Sequence, residues 1–149
     1  MNWEAAYLAL NVTVVPAWVL LVFAPRNQST AALVHSGLYP VVLGLIYVAS
    51  LGAALLFGQS APDAGMTSIS GVSALFSHPN GVITGWTHYL IFDLFVGAWI
   101  ARDAQRQHIA HALVIPCLLL TFLFGPTGLL LYLLIRLALR KSISLIETV

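Results

Sequence analysis

Charged residues are so sparse that long uncharged runs organise the chain. Residues 5–24 carry no charge, and twenty residues at 1.5 Å each cover roughly the 30 Å of a bilayer's hydrocarbon. They predict a first helix, with Pro16 inside it. The polar turn Pro25-Arg26-Asn27-Gln28-Ser29-Thr30 closes that run. A second uncharged run over 31–57 predicts a longer helix, tilted or bent, with Gly37, Pro40, Gly44 and Gly52 along it.

Residues 58–81 form the one long connection. They are rich in Ser and Gly, hold Pro62 and Asp63, and end on the turn-like His78-Pro79-Asn80-Gly81. Within them Met66, Ile69, Val72 and Phe76 recur at helical spacing. That pattern predicts a short interfacial helix between helices two and three, read either as a lid or as an ordered loop covering the bundle end. A third helix follows over 82–101, closed by Arg102-Asp103-Ala104-Gln105-Arg106-Gln107-His108. A fourth spans 109–133, with Pro116 and Gly125-Pro126-Thr127-Gly128 inside it. Pro126 offers no N–H to the carbonyl of Phe122 and crowds it, so a kinked fourth helix is expected there. The predicted fold is all-α: an integral membrane four-helix bundle, one transmembrane domain over 1–149.

Composition supports that class. Hydrophobic residues make up 60% and charged residues 7%, with a mean hydropathy of +0.93, whereas soluble domains are about a quarter charged. The expected location is a membrane crossed several times, with the lipid bilayer as first partner. The formal net charge is +1 and no basic tract is present, so nucleic acid is excluded as a partner. Cys117 is the single cysteine, which rules out an intrachain disulfide and reads as an inert packed thiol. Glu4 in place of a basic leader, and Pro25 directly after Val22-Phe23-Ala24, favour a retained first helix over a cleaved signal peptide. In this four-span topology Arg26, Arg102 and Arg106 fall on one side and Arg136, Arg140 and Lys141 on the other. Three against three is a tie under the positive-inside rule, so orientation stays open.

Chemistry concentrates on helix three. Asp93 lies near its middle, where an ionisable group costs at least about 2.5–3.5 kcal/mol and so faces a partner, a wet cavity or a substrate. Tyr89, four residues before it, shares its face with Trp86, while His88 lies with Phe92, Phe95 and Trp99 on the adjoining face. Two readings stand for Asp93: a general acid in an enclosed pocket, or a carboxyl that ties the bundle together by hydrogen bonds. His88 and Tyr89 read as its proton-relay partners or as interfacial side chains without chemistry. Antiparallel neighbours would bring Thr121 and Phe122 to the level of Asp93, and Arg136 either reaches the pocket or snorkels outward. Trp86, Phe92 and Trp99 suit either an aromatic belt or the flank of an elongated polyene. Arg102 and Asp103 read as a solvated helix end. No cofactor is expected, the alternative being a haem held through His35, His88 or His111, which no attachment motif supports.

The stretch Gly85-Trp86-Thr87-His88-Tyr89-Leu90-Ile91-Phe92-Asp93-Leu94-Phe95-Val96-Gly97-Ala98-Trp99, then Arg102-Asp103-Ala104, carries a family likeness. So do His111-Ala112-Leu113-Val114-Ile115-Pro116 and Leu120-Thr121-Phe122-Leu123-Phe124-Gly125-Pro126-Thr127-Gly128-Leu129-Leu130-Leu131-Tyr132. The chain resembles the abscisic-acid-deficient-four-like proteins, small four-helix membrane proteins whose plant member is linked to neoxanthin synthesis. The resemblance implies a membrane enzyme of carotenoid metabolism. It would be a cofactor-independent intramolecular isomerase opening the epoxide of a xanthophyll or related long isoprenoid, as in violaxanthin to neoxanthin. Such a reaction needs an acid at the epoxide oxygen and a base at the polyene side. Asp93 is the expected acid, with His88 or Tyr89 relaying protons and Trp86, Phe92, Trp99, Thr121, Phe122 and Arg136 holding substrate. The alternative is a non-catalytic carotenoid-binding or accessory subunit in which Asp93 is structural. Homo-oligomers, through the small faces at Gly37, Gly44 and Gly52, and carotenoid-pathway enzymes are the further partners considered. The chain lacks the plant members' N-terminal extension, which points to a bacterial inner membrane or a photosynthetic membrane.

Overall fold

Long apolar runs without water must satisfy their backbone internally, and helix does this residue by residue. The computed structural model describes residues 2–145, so Met1 and residues 146–149 of the predicted 1–149 domain lie outside the described residues. These residues are all-helical and contain no strand. In chain order the helices are α1 (Trp3–Phe23), α2 (Gln28–Leu33), α3 (Leu38–Phe57), α4 (Ile69–Leu75), α5 (Pro79–Arg106), α6 (His111–Phe124) and α7 (Pro126–Arg140).

The predicted second helix is two helices. Asn27 caps α2 by accepting the Ser29 N–H at 2.9 Å, and the Thr30 hydroxyl donates to the Ala24 carbonyl at 2.6 Å. The N–H groups of Val34 and His35 both return to the Thr30 carbonyl, ending α2. α3 then begins with Pro40 in its first turn, where a helix needs no N–H donor. α4 is the short helix predicted in the long connection, capped by Ser68, whose hydroxyl accepts the Gly71 N–H at 3.0 Å. The His78-Pro79-Asn80-Gly81 turn proves to be the start of α5: Pro79 occupies its first position and His78 Nδ1 accepts the Asn80 N–H at 3.1 Å. α5 also outruns its predicted end, closing beyond Arg106 with the Ile109 N–H on the Ala104 carbonyl at 2.9 Å.

The largest departure is in the predicted kinked fourth helix, which is broken outright and folds back. Gly125 stands at φ 39°, a backbone region that side chains avoid, and Pro126 opens α7. α7 then packs on α6, close enough that a Cβ on Gly128 would strike the Cys117 carbonyl and the Thr121 side chain. Its far end returns to the end of α5, where Arg140 Nη2 donates to the His108 carbonyl at 2.7 Å.

Two compact units make up the chain. Residues 2–16 and 36–91 form the first, in which the buried Asn80 amide donates to the carbonyls of Ser50 (2.8 Å) and Gln59 (3.1 Å). Residues 17–35 and 92–145 form the second, whose core includes Leu21, Ile100, Val114 and Leu118. By length and composition, Trp3–Phe23 and Gln28–Phe57 can each cross a membrane. α6 is apolar but has 14 residues. Of α3 only Leu43 is buried, and Leu45, Val48, Leu55 and Leu56 stand outward.

Gly128→Val should therefore lower stability by about 1–3 kcal/mol through overpacking against backbone, read as a drop in the thermal midpoint of the purified protein. Gly44→Ala, in a helix with open space around its Cα, should leave the midpoint unchanged or raise it by the equivalent of about 0.5–1 kcal/mol.

Candidate functional site

In the first unit α3, α4 and the first half of α5 enclose an apolar cavity of about 240 Å³. Tyr47 and Leu51 come from α3, Met66 and Phe76 from the segment around α4, and Thr84, His88 and Tyr89 from α5. The imidazole of His88 packs on the Tyr47 ring, with centroids 5.9 Å apart. Thr84 is committed elsewhere, its hydroxyl donating to the Asn80 carbonyl at 2.8 Å and lying 3.0 Å from the Ser50 hydroxyl. His88 and Tyr89 are exposed side chains on this wall. Gly85 leaves the room that the Phe76 ring fills. Trp86 anchors the same stretch: its indole N–H donates to Asn11 Oδ1 at 3.1 Å, and its ring meets Tyr7 and Tyr89 with centroids 5.3 and 6.4 Å apart. It also lines a more open cavity of about 530 Å³ with Trp3, Tyr7 and Ile83.

The second unit holds the other expected residues. Asp93 is partly buried, and its carboxylate lies against Gly125 at the α6–α7 turn, where the lack of a Cβ gives it space. Thr121 is buried with its hydroxyl donating to the Cys117 carbonyl at 2.8 Å. Phe122 packs on Trp18 (5.3 Å) and Phe92 faces outward. Trp99 meets Tyr132 edge-on at 5.7 Å and lines an apolar cavity of about 260 Å³ with Phe95, Val96, Leu129, Leu133 and Leu145. Thus His88, Tyr89 and Trp86 gather in one unit, and Asp93, Phe92, Trp99, Thr121, Phe122 and Arg136 belong to the other.

Asp103 overturns its reading as a solvated helix end. It is buried, accepting a 2.5 Å hydrogen bond from the Tyr132 hydroxyl and pairing with Arg136 (3.3 Å) and Arg106 (3.4 Å). Arg136 is equally buried: its Nη1 faces Asp103 as an ion pair without hydrogen-bond geometry, and its Nε has no hydrogen-bond partner among the described residues. One sequence signal marks this cluster: Tyr132 and Arg136 stand four apart on α7, on one helix face. Of the histidines weighed for haem, His35 Nδ1 accepts from Arg102 Nη1 at 3.1 Å and His111 Nε2 donates to the Val22 carbonyl at 2.8 Å. Among the described residues no group of three or more His, Cys, Asp or Glu converges as a metal site.

Residues 5–132 match the protein family described as ABA DEFICIENT 4-like. The chain belongs to that family. The ABA4-like match covers His88, Tyr89, Asp93, Asp103 and Tyr132, and stops short of Arg136. Protein ABA DEFICIENT 4, chloroplastic, of Arabidopsis thaliana is a relative, 26% identical over 129 residues, covering 79% of this chain and 54% of that one. The chain thus spans about half the length of the curated relative it matches. No solved structure matches this ABA4-like chain.

Removing one partner of the Asp103 cluster strands a buried charge. Asp103→Leu should cost about 3–5 kcal/mol, while the double variant Asp103→Leu/Arg136→Met should recover most of it. Denaturant midpoints of the two variants and the parent check this.

Proposed function

We propose that this ABA4-like protein is a multi-pass membrane protein that binds a xanthophyll or related long isoprenoid by its end group and isomerises it. Its setting is a bacterial inner membrane or a photosynthetic membrane. The observation that carries the reading is the first-unit cavity, an apolar space with one histidine and two tyrosines, Tyr47 and Tyr89, on its wall. At about 240 Å³ it is smaller than the roughly 300–1,000 Å³ of sites that enclose whole drug-sized ligands. It suits one terminal ring, with the polyene trailing outward along apolar helix surface. The outward Leu and Val side chains of α3 support lipid as the surrounding medium, because in water each would forgo roughly 25 cal/mol per Å². The name of the Arabidopsis relative supports an abscisic-acid-linked, hence carotenoid, context.

An epoxide-to-allene isomerisation moves one proton on and one off. The acid protonates the epoxide oxygen as the C–O bond opens, and a base removes a proton from the adjoining polyene carbon, so that no redox partner is consumed. We assign these transfers to His88 and Tyr89, the titratable groups that α5 presents to the cavity. Asp93 is the rival acid, and a pigment-holding subunit without turnover is the rival function.

The test is co-expression with enzymes that supply an epoxy-xanthophyll, followed by chromatography of extracted pigments and of pigment co-purifying with the protein. His88→Gln and Tyr89→Phe should each cut product formation by about 10²–10⁴-fold while bound pigment is retained. Loss of turnover in Asp93→Asn alone would transfer the acid role to Asp93. Bound pigment with no product from the parent protein would establish the pigment-holding reading instead.

A further inference from the structure

Six lysine and arginine residues are present in the whole chain: Arg26, Arg102, Arg106, Arg136, Arg140 and Lys141. A straight or kinked fourth helix would carry the last three away from the first three. The fold-back at Gly125 returns them to the same end.

Each placement is fixed by a contact within the second unit. Gln105 Nε2 donates to the Pro25 carbonyl at 3.3 Å, which sets Arg26 beside the end of α5. Arg102 bonds His35 across the same end, and Arg106 and Arg136 flank Asp103. Arg140 reaches the His108 carbonyl, with Lys141 following it. Arg26, Arg106, Arg140 and Lys141 are exposed. The connection that leaves the far end of α3, residues 58–78, holds Asp63 and no lysine or arginine.

We infer that this end of the second unit is the cytoplasmic face of the protein, seated against the anionic headgroups of the cytoplasmic leaflet. The inference rests on the membrane-spanning reading proposed for the chain. Cationic side chains close to the ends of spanning helices are retained on the cytoplasmic side during insertion, and a negative leaflet surface then holds them there. With all the chain's cations at one end, the orientation has a single solution. The run Gln28–Phe57 is long and apolar enough to cross once, so by chain order the connection that follows it belongs to the other compartment.

The test uses the full chain expressed in a bacterial inner membrane. Cys117 is fully buried, so the parent serves as an unlabelled background for single cysteines at the exposed Ser29 and Thr67. A membrane-impermeant maleimide should label Thr67→Cys in intact cells and Ser29→Cys only after permeabilisation. The reverse pattern, or equal labelling of both in intact cells, overturns the orientation. Replacing the exposed Arg26, Arg140 and Lys141 together by Gln in the Ser29→Cys protein should raise its labelling in intact cells at least severalfold. Unchanged labelling would overturn charge as the determinant. Alkaline carbonate washing separates the two levels of failure. A reversed protein stays with the membrane pellet, whereas release into the supernatant would overturn the membrane reading and the orientation with it.

Discussion

The second unit depends on one buried ionic contact. Asp103 is brought inward by α5, met by the Tyr132 hydroxyl and flanked by Arg136 and Arg106. Each of these groups would be costly alone away from water, and together they fix which turn of α7 lies beside which turn of α5. The fold-back at Gly125 is what delivers Tyr132 and Arg136 to that place. The small residues Gly125 and Gly128 permit the reversal, and the ionic contact gives it a destination. Packing against Trp99 then covers the aromatic side of the cluster.

The first unit is organised on a neutral version of the same principle. Asn80 takes up the carbonyls of Ser50 and Gln59, which ties the start of α5 to α3 and to the connection leading to α4. With that anchor in place, the next turns of α5 bring His88 and Tyr89 to the wall of the apolar cavity. Thr84, one turn before His88, is held to the helix by its own hydroxyl, which donates to the Asn80 carbonyl.

The helical class and the α4 segment were legible in the sequence because apolar periodicity and turn residues report local structure directly. The family was legible from motifs in α5 and α6. Three features were not, each for a physical reason. Pro79 marks a helix start as readily as a turn, and the capping by His78 that decides between them is a side-chain geometry. Gly125-Pro126 signals an interruption, but whether a helix bends or reverses depends on what awaits its far end, here Asp103. Asp103 itself sits among Arg102, Gln105 and Arg106, a run that reads as solvated until its partners from α7 are in place. Tyr89 and Asp93 stand four apart on one uninterrupted helix of 28 residues, along which the two compact units divide after Ile91.

The reversal at Gly125 also separates two quantities that hydropathy treats as one, the length of an apolar run and the depth it reaches. α6 and α7 have 14 and 15 residues, so each arm extends only about 21–23 Å at the helical rise, short of the roughly 30 Å of hydrocarbon. A hairpin of that size in a bilayer enters and leaves by the same surface. On the membrane reading proposed above, it would add two helices to the fold and nothing to the crossing number, leaving the parity to the helices before it.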